Sequence, residues 1–192
     1  MVSYMRNKFK NYSDRLIRQI SMNQDEYEIL KYGLHQCFMI TLNFVSVLIS
    51  GIFWNKVLFS ILLFICMYLF RPYVGGYHAD TEIGCYIVSV GIMNMAMAGS
   101  KWIHLSIQWM CLLYLGAVFI IGINAPVQNP INPLEDEETI KYSRHTKKIM
   151  IIYSLVGGIG IVSRVNLIYD TIFYGMLIAC CSVVGGKYKY KV

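Results

Sequence analysis

Long apolar runs decide what this chain can become. Residues 34–53, 57–70, 84–100, 103–124, 149–163 and 166–184 carry almost no charge and are separated by polar stretches. A helical run of about 20 apolar residues spans the hydrocarbon core of a bilayer. In lipid, each backbone N–H and C=O must be bonded within its own segment or a closed barrel, so apolar runs of this length become helices. The expected fold is all-α, a polytopic transmembrane bundle of about six spans. The 57–70 run is short at 14 residues, and local bilayer thinning or longer neighbours would accommodate it. Pairing it with the third run as a re-entrant hairpin is the alternative, and it leaves the 71–83 segment on the same side. Composition agrees: 15% of the residues are charged, against about 25% in soluble domains.

The division expected is one integral membrane domain over 1–192, with 1–33 cytoplasmic or interfacial, 34–184 the bundle, and 185–192 a cytoplasmic tail. Over 12–32, Leu16, Ile17, Ile20, Tyr27 and Leu30 recur at near-helical spacing among charges. That pattern fits an amphipathic helix in the membrane interface; a solvated helix packed on the protein fits it as well. No short apolar core with a small-residue cleavage site opens the chain, so insertion by the first span is expected.

Basic residues set the orientation. With six spans and a cytoplasmic N-terminus, only Lys56, Lys101 and Arg164 fall outside, leaving 14 of the 17 Lys and Arg inside. Cytoplasmic segments carry this excess in membrane proteins. The net charge of +6 thus reads as topology, and no basic stripe interleaved with aromatics points to nucleic acid.

Chemistry concentrates in one loop, Arg71 to Ser89, RPYVGGYHADTEIGCYIVS. Pro72 is expected to end the second span. Gly75 and Gly76 free the backbone to turn sharply or to approach a bound chain. His78, Asp80, Glu82 and Cys85 follow within eight residues. The other five cysteines lie in apolar runs, where the thiol behaves as a small hydrophobe. Cys85 stands at the expected start of the third span, near the positive end of a helix dipole, which favours the nucleophilic thiolate. A histidine can take the thiol proton and later give it to a leaving amine. On one continuous helix, His78 and Cys85 would be about 10.5 Å apart in rise, so His78 must sit on a loop folded over the helix start. For the bare pair, a packing cysteine with an interfacial histidine is the commoner arrangement. Asp80 either orients the imidazole or is a solvated charge, and Glu82 reads as solvated. Arg71 either snorkels from the span end or binds a substrate carboxylate through its planar fork.

The stretch Arg71, Gly75, Gly76, His78, Cys85 resembles the signature of the accessory gene regulator B (AgrB) family. EYEILKYGLHQC before the first span and APVQNPINPLEDEETIKYSR at 125–144 are similar to the family's membrane entry and central cytoplasmic loop. The resemblance implies a membrane-embedded cysteine endopeptidase that cuts the C-terminal tail from a small AgrD-like precursor peptide. The peptide is then held as a thioester until an internal nucleophile closes a thiolactone or lactone ring, giving a quorum-sensing autoinducer. It implies Cys85 as nucleophile and His78 as base and acid, with no cofactor and no metal. In the central loop, Glu135–Glu138 precede Lys141, Arg144, Lys147 and Lys148. Glu137 and Lys141 stand at i,i+4, which reads as a self-paired helix, or as a precursor-docking surface in which Lys141 takes part. Gly91, Gly99, Gly116, Gly122, Gly157, Gly158 and Gly160 permit close helix approach and a homodimer. The chain is expected in the bacterial cell membrane, among lipid, with both termini cytoplasmic. The competing function is a non-enzymatic exporter or assembly subunit. No HExxH or GxSxG stands in the chain, and Asp170 is the main intramembrane charge, which disfavours an ion-coupled transporter.

Overall fold

The computed structural model describes residues 23–128 and 135–190. They form six helices: α1 Gln24–Phe53, α2 Val57–Val74, α3 Glu82–Trp102, α4 Ile107–Asn124, α5 Asp136–Val162 and α6 Asn166–Tyr190. Each is long and apolar enough to cross a membrane. Among the described residues no strand forms, and Gly75 and Val127 make one isolated parallel bridge. The chain is an all-α, multi-pass membrane protein with six helices among the described residues, as its apolar runs require.

Contacts divide the chain into two compact units, one ending at Ser46 and one beginning at Val47. In the first, α1 carries exposed and half-buried side chains. The hydroxyls of Thr41 and Ser46 donate to the carbonyls of Cys37 and Leu42, each at 2.8 Å, so these polar groups are satisfied within the helix. The surface helix expected over 12–32 lies outside the described residues as far as Met22. From Gln24 the chain is already in α1, which continues into the first span without a break at Gly33.

In the second unit α6 is the central helix and packs against α2, α3, α4 and α5. One cluster gathers Phe70, Ile121, Met150, Tyr153, Met176 and Val183. The other gathers Val47, Phe59, Leu63, Met97 and Ile178. Some polar groups inside the bundle are paired across helices, which offsets the cost of desolvating them. Tyr153 donates to the Cys66 carbonyl at 2.7 Å. Asn94 accepts from Trp54 Nε1 at 3.0 Å and donates to Ser50 Oγ at 3.1 Å and the Val90 carbonyl at 2.8 Å. Leu115, Leu155 and Phe119 on the outside remain exposed, the surface a bilayer would cover.

Several boundaries differ from expectation. Pro72 does not end α2, which runs through it to Val74. Proline removes one helical donor, but the turn beyond it is anchored elsewhere: Thr146 Oγ1 donates to the Tyr73 carbonyl at 3.0 Å and Val127 N–H to the Val74 carbonyl at 3.0 Å. The 18-residue length of α2 removes the shortness of the 57–70 run. The 125–148 stretch is helical from Asp136. Among the described residues Glu137 and Lys141 form no ion pair; Glu138 instead turns back to accept the Glu135 N–H at 3.3 Å. The 185–192 tail is helical as far as Tyr190, with Lys187 and Lys189 at the negative end of the helix dipole, where cations are favoured. Of the seven span glycines, Gly99, Gly157 and Gly160 meet neighbouring side chains, and Gly91, Gly116, Gly122 and Gly158 have nothing within 4 Å of where a Cβ would stand.

Candidate active site

The 75–81 loop joins α2 to α3 and is held from three helices. Gly75 and Gly76 have φ of 68° and 122°, a region that side-chain-bearing residues rarely enter. A Cβ on Gly75 would run into the Val127 carbonyl, and one on Gly76 would lie 2.5 Å from Ser182 Oγ. Both glycines are therefore needed for conformation and for space. Tyr77 N–H donates to the Ser182 carbonyl on α6 at 2.8 Å. Arg71 on α2 donates through Nη2 to the Tyr77 carbonyl at 2.7 Å. Lys189 on α6 donates to the His78 carbonyl at 2.8 Å and pairs with the Asp80 carboxylate at 2.5 Å. Thr81 then caps α3, its hydroxyl accepting the Gly84 N–H at 3.0 Å.

This frame sets the environment of the two reactive side chains. Cys85 is half-buried in the first turn of α3, and its N–H donates to the Thr81 carbonyl at 2.9 Å. It thus stands at the positive, N-terminal end of the helix dipole, where an anion is favoured. His78 stands on the loop ahead of α3 and is exposed. Nearby protein strips water from the ring and, with the Arg71 and Lys189 cations, holds its pKa below the ordinary histidine value. The ring is thus kept neutral at pH 7, the form that accepts a proton. Among the described residues no hydrogen bond joins the His78 ring to the Cys85 sulfur. Catalytic hydrogen bonds are often long without substrate and tighten when it binds. No group of three His, Cys, Asp or Glu among the described residues is placed to hold a metal ion.

The model of the accessory gene regulator B family matches residues 9–183. The chain belongs to the accessory gene regulator B family. It is 24% identical over 195 residues to "Putative AgrB-like protein 1" of Clostridium perfringens (strain 13 / Type A), covering 96% of this chain and 98% of that protein. It is 22% identical over 171 residues to "Putative AgrB-like protein" of Clostridium perfringens (strain SM101 / Type A), covering 84% of this chain and 79% of that one. No solved structure matches. Membership in the AgrB family carries a role in accessory gene regulator peptide processing.

Within this AgrB-family chain, the structure gathers Arg71, Gly75, Gly76, His78 and Asp80 into one bonded loop, with Cys85 on the helix that follows. Arg71 closes the turn through Nη2. Asp80 binds Lys189 and has no bond to the imidazole. Lys141 is not drawn in. Its side chain is exposed, and its carbonyl lies 2.9 Å from His145 Nδ1. Sequence reasoning misses Gly186 and Lys189 on α6, because the chain beyond 184 reads as a tail, and it misses Ser182, which reads as an ordinary residue of the 166–184 run. The signal is present: lysines in a last helical turn continue an apolar helix well. It also misses the Tyr73–His145 stack, with ring centroids 5.0 Å apart and an interplanar angle of 14°, which nothing in the spacing announces.

Proposed function

We propose that this AgrB-family protein is a cysteine endopeptidase that removes the C-terminal tail of an AgrD-like precursor and promotes closure of the ring of the autoinducing peptide. The observation that carries the reading is the loop itself: His78 held neutral on a strapped turn, just ahead of the helix start that bears Cys85. The His78 ring takes the thiol proton, and the Cys85 sulfur attacks the carbonyl carbon of the scissile bond. The C–N bond breaks, and His78 returns the proton to the leaving amine of the tail. The remaining peptide is an acyl thioester on Cys85. A thiol or hydroxyl within it attacks the same carbonyl, loses its proton to His78, and expels the Cys85 thiolate, which His78 reprotonates. Exchanging a thioester for a thiolactone changes bond energy little, so excluding water decides between ring closure and hydrolysis.

The site belongs on the cytoplasmic face of the cell membrane, with both termini on that side. Arg71, Lys189 and the start of α5 with its basic residues share the loop's end of the bundle, and the basic bias puts that end inside. A homodimer belongs to the same proposal, with the open glycine faces of α3 and α4 available to a second copy or to lipid. The test is co-expression with the precursor and mass spectrometry of its products. Wild type yields the free tail, and Cys85→Ala yields none while still inserting in the membrane. Tail release by Cys85→Ala would remove the cysteine mechanism.

A further inference from the structure

We propose that Lys189 is a positioning residue of this site, strapping the 75–81 loop to the end of α6 by holding the His78 carbonyl and the Asp80 carboxylate together, and so fixing where the His78 ring stands. The proposal rests on the reading of His78 as the base for Cys85.

Ser182, Gly186 and Lys189 are spaced i, i+4, i+7 and share one face of α6. All three meet the loop in order. The Ser182 carbonyl accepts the Tyr77 N–H. Gly186 lies so close that a Cβ there would stand 2.6 Å from the Gly76 carbonyl carbon. Lys189 then reaches past Tyr77, its ammonium 5.1 Å from that ring's centroid, and donates to His78 and Asp80. The last two turns of α6 thus form a rail along which the loop is laid. An ammonium has three donors, and two of them are used on this loop. The Val127 bridge holds the loop at Gly75, and Ser182 and Arg71 hold it at Tyr77; at His78 the anchor among the described residues is Lys189.

The strap is also electrostatic. The cations acting on His78 are Arg71 from α2 and Lys189 from α6, and Asp80 lies two residues on in the same loop. Burial is the main cause that disfavours a charged imidazole, and the two cations add to it; Lys189 also pairs with the Asp80 carboxylate, whose charge acts the other way. One side chain therefore both places the ring and keeps it able to accept a proton.

Full-length Lys189→Met and Lys189→Arg test this against wild type, with methionine keeping most of the apolar stem without charge or donors. Membrane insertion and Tm are recorded for each. Tail release is measured for kcat and KM, and the His78 ring is titrated by NMR of 13C-labelled histidine, assigned with His78→Gln. Lys189→Met should lower kcat by about ten- to a hundredfold, the scale of a small misplacement of a catalytic group, with KM little changed. Its His78 midpoint should move upward. Lys189→Arg should restore both. An unmoved midpoint or an unchanged kcat in Lys189→Met overturns the strap. Wild-type cleavage by His78→Ala would instead overturn the base assignment on which the strap rests. The two failures are separable, because the NMR titration reads the Lys189 contact without any turnover.

Discussion

Replacing Gly76 by alanine probes whether the loop's geometry carries the activity. At φ of 122° a non-glycine residue is strained by about 1–3 kcal/mol. The new Cβ would also lie 2.5 Å from Ser182 Oγ, 2.8 Å from its carbonyl oxygen and 2.9 Å from its carbonyl carbon. Overpacking of this kind costs about 1–3 kcal/mol. A sum of about 2–6 kcal/mol is a large part of a domain's net stability of about 5–15 kcal/mol, and the loop relieves it most readily by moving off α6. Displacing His78 by about 1 Å lowers the rate roughly a hundredfold. The assay is the initial rate of tail release per inserted protein, with Tm in detergent alongside. Gly91→Ala is the control, because a Cβ there meets nothing within 4 Å. Adding Ser182→Gly removes the Oγ clash but leaves the two carbonyl contacts and the φ strain, so it should restore activity only in part. Wild-type rate and Tm in Gly76→Ala would refute the claim that this turn needs glycine.

Two further outcomes are expected. Thr146 is 2% exposed and bonds the Tyr73 carbonyl, so Thr146→Val should destabilise the protein by about 1 kcal/mol, read as a lower Tm with the site chemistry retained; an unchanged Tm would show that bond to be idle. Because burial, Arg71 and Lys189 hold the His78 pKa below the ordinary 6.5, its ring takes up a proton at lower pH than an ordinary histidine, so the acid limb of kcat/KM for tail release should have its midpoint below 6.5. A midpoint above 6.5 would contradict the environment described for the ring.

The helical bundle was legible because apolar run length and the lack of charge leave lipid-spanning chains few options. The loop was legible because glycine pairs, a histidine and an interfacial cysteine have distinct chemistry. Helix ends were not legible. Pro72 is a local stop signal, but Thr146 and Val127, distant in sequence, hold the turn beyond it. The GGKYKYKV tail looks polar and loose, but its face meets the 75–81 loop, and only the fold brings positions 76 and 186 together. The Glu137–Lys141 spacing allowed a pair that did not form, because i,i+4 neighbours gain only about 0.2–0.5 kcal/mol.

The acyl-enzyme is the species that sets this reading apart from every other. Wild-type protein mixed with precursor and quenched in acid within the first turnover should be digested and analysed by mass spectrometry. The expected result is the tail-less precursor attached to the peptide containing Cys85, released by neutral hydroxylamine as a thioester is, and absent from Cys85→Ala. Tail release with no adduct on Cys85, or an adduct that persists in Cys85→Ala, would contradict it.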